Sequence, residues 1–216
     1  MFEELNFKDI NKEYRSHFNY DRVDRVMLEI LWWHFVLVSL GAFLIYFFQP
    51  ALHYPGPFSW RVLSGGNVIA VLIFGLAFAL IPTLLHNKLQ NHFIFRIAVT
   101  LALCCFSFQI VFVSGGSSEA YLHLFGVLAA LILYYDYRLM WLVLLAIVCH
   151  RLLLNFFAPS WASIYTGVNN HIALILHTFF ALSAVVFASM IASAGRESVK
   201  AIVEANKFMT NRIKEI

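Results

Sequence analysis

The chain has 216 residues, of which 61% are hydrophobic and only 12% charged, and its mean hydropathy is +0.76. Soluble domains carry roughly a quarter charged residues, so a water-soluble globular domain is excluded. Apolar runs of about 20 residues, each able to cross roughly 30 Å of hydrocarbon, make this an all-α integral membrane protein, because backbone groups in lipid must be satisfied within helices.

Residues 1–26 form a polar lead-in carrying Lys8, Lys12, Arg15, Arg22 and Arg25. Phe2, Leu5, Phe7, Ile10, Tyr14 and Phe18 are spaced loosely as on a helix, which fits an interfacial helix or a disordered tail. With no early apolar core, no cleavable signal peptide is expected. Residues 27–194 read as a domain of six transmembrane helices, at about Met27–Phe48, Asn67–Leu85, Phe95–Val113, Glu119–Tyr134, Leu139–Phe157 and His171–Ala194. Pro82 is tolerable in a membrane helix, and the Pro- and Gly-rich stretch between the first two spans is irregular. Cys104, Cys105 and Cys149 fall inside apolar segments as small buried hydrophobes, with no disulfide or cysteine metal pair expected.

Lys8, Lys12, Arg15, Arg22, Arg25, Lys88, Arg96, Arg138, Arg196 and Lys200 fall on one side of these spans, against Arg61 on the other. The positive-inside rule then puts both termini in the cytoplasm. In residues 195–216, Val199, Ile202, Asn206, Met209, Ile213 and Ile216 keep three-four spacing. That is a coiled-coil seam with one Asn at an a position, which favours a homodimer of defined register; a surface-lying amphipathic helix is the alternative. The run has no cap or stop signal at Ile216, as expected of a chain that continues into another domain.

His123, His150 and His177 lie four, seven and six residues inside the outer ends of the last three spans, at depths of roughly 6–10 Å for a rise of 1.5 Å per residue. Ionisable groups inside a membrane are costly and mark functional interior sites, so the three are expected to face one another. Glu119, one turn before His123, is placed to orient its ring. Arg151 is a candidate partner for an anion such as a haem propionate, and Tyr121, Asn155, Tyr165 and His171 are further polar candidates at that level. His34, a turn or two into the first span, is expected to lie too far from the trio to join it, as a core residue or the ligand of a second cofactor. His17, His53, His86 and His92 read as surface residues.

Three such imidazoles suit a b-type haem walled by Phe and Leu. A Zn or Cu ion on His123, His150 and His177 is the rival. No Ser-His-Asp set, phosphate loop or Cys-pair motif is present, so this portion is not expected to be an enzyme, and no nucleic-acid partner is expected.

Gly115-Gly116, Glu119, His123 before Phe125, Tyr135-Asp136-Tyr137 and His150 together resemble a six-helix bacterial membrane sensor module found ahead of GGDEF diguanylate cyclase and methyl-accepting chemotaxis domains. The resemblance covers about residues 95–195. It departs from the pattern at Tyr121, where a first His is usual, and at Arg151, where the second His of a pair is usual. The resemblance implies a homodimeric sensor of the bacterial inner membrane. With haem in the bundle, it would report redox state, a quinone or a diatomic gas to a cytoplasmic output domain; metal sensing and cytochrome b-like electron transfer are the other readings.

Overall fold

The computed structural model describes residues 20–48, 64–89, 91–114, 119–157 and 170–214; the side chains of Glu119, Tyr121, Asn155 and His171 also fall outside the described set. So do residues 1–19, over which an interfacial helix or a disordered tail was expected, and Gly115-Gly116, His53, Arg61 and Tyr165. Each of the six apolar segments is helical, and the described residues contain no strand. The α-helices are α1 (Tyr20–Phe48), α2 (Gly65–Leu89), α3 (Phe93–Val113), α4 (His123–Leu131), α5 (Tyr137–Phe157) and α6 (Asn170–Lys214). Single 3₁₀ turns, Glu119–Leu122 and Ile132–Tyr134, flank α4. Four stretches are long and apolar enough to cross a membrane: Tyr20–Phe48, Gly65–Leu89, Phe93–Val113 and Ile175–Thr210.

Local chemistry sets the helix ends. Ser64 Oγ accepts the Asn67 backbone N–H at 3.2 Å, capping α2. Asn91 breaks the chain between α2 and α3 with φ 65°, a left-handed conformation that Asn adopts more readily than most residues. Tyr135 does the same after α4 with φ 50° and ψ 33°. Asp136 then opens α5, its Oδ1 accepting the Arg138 N–H at 3.2 Å.

Two boundaries differ from the expectation. Helix α1 begins at Tyr20, seven residues before Met27, because Asp24 is held by the turn after α2: the Asn91 N–H donates to Asp24 Oδ2 at 3.1 Å. Helix α2 continues through His86, Asn87 and Lys88, which read as turn residues in the sequence. Helix α6 runs unbroken past Ala194 into the helical stretch expected over residues 195–216, 45 residues and roughly 67 Å at 1.5 Å per residue.

Helix α3 is the hub, packed against α1, α2, α4 and α5. Lipid offers no hydrophobic drive for helix pairing, so close approach over small residues carries much of the packing. Ala42, Gly75, Ala79, Ala102, Ala188 and Ala192 are all buried. At Gly75 an added Cβ would lie 3.1 Å from Phe35 Cδ2 and 3.3 Å from Gln109 Oε1, so α1, α2 and α3 meet there only because the position is glycine. A tighter case is Gly195 on α6, where an added Cβ would run into the ring of Tyr135. The ring of Tyr135 thus rests on the bare backbone of α6, just beyond its apolar stretch.

Candidate functional site: polar layers inside the bundle

His34 and His123 meet. Their Nε2 atoms are 2.8 Å apart, with ring centroids 4.8 Å apart and ring planes at 72°. The expectation that His34 lies too far from the others is corrected, and the reason is axial. With α1 starting at Tyr20, His34 stands 14 residues up the helix, about 21 Å from that end. His123 is 11 residues from Tyr134 at the same end, about 17 Å away. The two heights nearly match.

The partner of His34 fixes its proton. His34 Nδ1 lies 2.6 Å from the Ile30 carbonyl, which can only accept, so Nδ1–H donates and Nε2 of His34 is an acceptor. His123 Nε2–H then donates to it. Ser107 Oγ–H donates to the Leu103 carbonyl of its own helix at 3.1 Å, and Ser107 Oγ lies 2.8 Å from His123 Nδ1. The result is a hydrogen-bonded chain from Ser107 through His123 and His34 to Ile30, tying α3, α4 and α1 together. An N–H at Nε2 of both rings would set two donors against each other across 2.8 Å.

His150 and His177 do not join this pair. The His150 ring stacks on Phe108 of α3, with centroids 3.9 Å apart and planes 3° apart. It lines a cavity of about 390 Å³ with Ala70, Val71, Phe74, Cys105 and Gln109. His177 lines a second, smaller cavity, of about 70 Å³, between α4, α5 and α6, with Leu124, Phe125, Ile147, Arg151 and Phe180. Depth does not determine azimuth. Successive residues of a helix point about 100° apart, so α5 turns His150 toward α3 and Arg151, with Ile147 one turn earlier, toward α6. Arg151 is buried and lines the same cavity as His177.

The donor set therefore differs from the one expected for a metal or haem on His123, His150 and His177. Among the described residues no group of three or more His, Cys, Asp or Glu side chains is gathered to hold a metal ion. Metal–imidazole bonds are about 2.0–2.1 Å, so the 2.8 Å gap between His34 and His123 is that of a hydrogen bond, too narrow for an ion or a porphyrin iron. In this arrangement the residues do not fit a bis-imidazole haem.

A second polar layer closes the basic end of the bundle. Arg96, buried in α3, lies with its guanidinium carbon 3.6 Å from the Tyr20 ring centroid, donates to the Asn91 carbonyl at 3.1 Å and stands 4.0 Å from Asp136 Oδ2. Arg138 forks onto Asp136 at 2.8 and 2.6 Å. Burial pushes the Asp136 carboxyl up, but the Arg138 fork, with Arg96 behind it, outweighs burial and holds it below the ordinary carboxylate value. Asp24, fully buried, keeps Oδ1 without a hydrogen-bond partner among the described residues. In the sequence these side chains read as orientation signals and turn residues. His86, read as a surface residue, is partly buried there with its ring 5.3 Å from that of Phe95.

Ser107, Gln109, Asp24 and Arg96 carry no motif that sequence reasoning would single out. Their signal is that each is polar within or at the edge of an apolar run, a position that requires an internal partner. The chain was compared with protein-family models, curated proteins and solved structures, and none matches.

Proposed function

We propose that the chain is the membrane input module of a signalling protein of the bacterial inner membrane. It has six spans and cytoplasmic termini, and it pairs with a second copy through the end of α6. The observation that carries this reading is the double contact between α4 and α6. At one end Leu124 and Phe125, the residues after His123, share a cavity with His177. At the other, Tyr135 rests on Gly195. Any shift of α4 is thus passed to α6 at two levels, and α6 continues unbroken past the bundle.

The two-state element in this reading is the His34–His123 pair, closed while His34 Nε2 is an acceptor and opened by a proton placed there, an oxidant-driven change or an entering cation. A b-type haem, or a Zn or Cu ion, would need that pair to part before His123 could serve as a ligand. His177 beside Arg151 is the better-placed imidazole for a group with anionic arms. Ile202, Met209 and Ile213 are exposed in the single chain, as a seam awaiting its copy requires. The resemblance to sensor modules agrees with this, with a diguanylate cyclase or chemotaxis domain as the expected output.

The test is cross-linking of Met209→Cys in membrane vesicles. Disulfide-linked dimers are expected, at a rate that shifts between pH 5 and pH 8 or between oxidising and reducing buffers, and the shift is expected to vanish in His123→Ala. No dimers, or rates indifferent to every condition, overturns the proposal. An absorption spectrum of the purified protein decides the cofactor, a Soret band lost in His123→Ala or His177→Ala being the haem outcome.

A further inference from the structure

The cavity beside His150 has no part in that signalling reading, and its chemistry is specific. Phe74 and Phe78 of α2 and Phe108 and Phe112 of α3 supply four aromatic walls. Two polar side chains line it, and each keeps one buried atom without a hydrogen-bond partner among the described residues: Gln109 Oε1 and His150 Nδ1. Gln109 is only 9% exposed. Its amide orientation is settled, because Nε2 donates to the Val71 carbonyl at 3.2 Å and a carbonyl can only accept. Oε1 is therefore the group without a partner, and it is an acceptor. His150 Nδ1 accepts or donates according to tautomer, with its ring held flat against Phe108.

An unpaired acceptor, Gln109 Oε1, beside an unpaired imidazole nitrogen that can take either role, beneath an aromatic wall, calls for a ligand that brings hydroxyl groups on a flat ring. A cavity bounded by membrane helices is reached from the lipid phase, so that ligand is itself lipophilic. We propose that this cavity binds the head group of a quinol, the ring lying among the four phenylalanines and its hydroxyls donating to Gln109 Oε1 and His150 Nδ1. The oxidised quinone offers carbonyl acceptors only. It leaves Gln109 Oε1 facing a second acceptor, and leaving a buried polar group unpaired is what makes such sites discriminate. The site therefore selects the reduced form, by a factor on the order of tenfold to a hundredfold. This stands apart from the signalling reading, since a protein that only bound quinol would need the same cavity.

The test uses the full chain in lipid nanodiscs, titrated with decylubiquinol kept reduced and, separately, with decylubiquinone. Saturable binding is expected at one site per chain, with a Kd at least about tenfold lower for the reduced form. Gln109→Leu is expected to bind both forms alike, and Ala70→Trp, which fills the cavity from its α2 wall, to bind neither. No saturable binding, equal affinity for the two forms in the unaltered chain, or a preference that survives Gln109→Leu overturns the proposal. Should the variants fail to fold, the comparison of the two forms on the unaltered chain decides alone.

Discussion

At the scale of single residues, the bundle interior is organised by hydrogen-bond direction. Ile30 offers only an acceptor, and that one constraint makes His34 Nε2 an acceptor and puts a hydrogen on His123 Nε2. Removing either ring leaves the other with an unmet nitrogen, so His34→Ala and His123→Ala are each expected to lower stability by about 1–3 kcal/mol. The double variant should fall short of the sum by about 1 kcal/mol, the coupling of a direct pair. Unfolding in mild detergent, followed across the four chains, measures this; strict additivity would show that the two rings do not bond. The spacing of His123, His150 and His177 from the ends of their apolar runs was legible in the sequence because it follows from counting. Their facing directions were not, because a one-residue difference turns a side chain by about 100°, and His34 was misplaced because Asp24 and Asn91 extend α1 below its apolar stretch.

At the scale of elements, the segment Tyr134-Tyr135-Asp136 does more than connect α4 to α5. Asp136 gathers Arg138 and Arg96, and Tyr135 meets α6. The apolar helices themselves were plain from hydropathy, whereas a contact that depends on an absent side chain, such as Tyr135 on Gly195, leaves no trace in periodicity. Gly195→Ala is expected to cost about 1–3 kcal/mol, as overpacking does. Tyr135→Gly in the same chain should restore most of it, since that removes the ring and the left-handed strain together. Thermal melts of the two single variants and the pair report this. Asp136 contributes a pH dependence of known sign. Its carboxyl sits below the ordinary value of 3.8, so its stabilisation is complete above that pH and is lost as pH falls through the lower, folded-state value. Melting temperatures of the unaltered chain and Asp136→Asn should accordingly differ by a constant amount from pH 5 to 7 and converge below about pH 4.

At the scale of the whole molecule, α6 is one continuous helix that runs from the bundle into the extension beyond it. Asn206 sits in the exposed seam with Ile202, Met209 and Ile213 around it. Asn206→Leu is expected to strengthen pairing while loosening its register. Cysteines placed one at a time from residue 202 to 213 should then cross-link at more positions than in the parent, and an unchanged pattern would count against a coiled coil. One dimension of the molecule bears on its surroundings. From Glu119 to Tyr134 the α4 segment has 16 residues, nine of them α-helical and seven in 3₁₀ turns, about 27 Å of helix against roughly 30 Å of hydrocarbon. Leu122, Phe125 and Leu133 on that segment face outward. In the six-span reading proposed above, lipid against this flank would thin by a few ångströms to match it, so short-chain bilayers would relieve the mismatch and long-chain bilayers would press on the helix that carries His123.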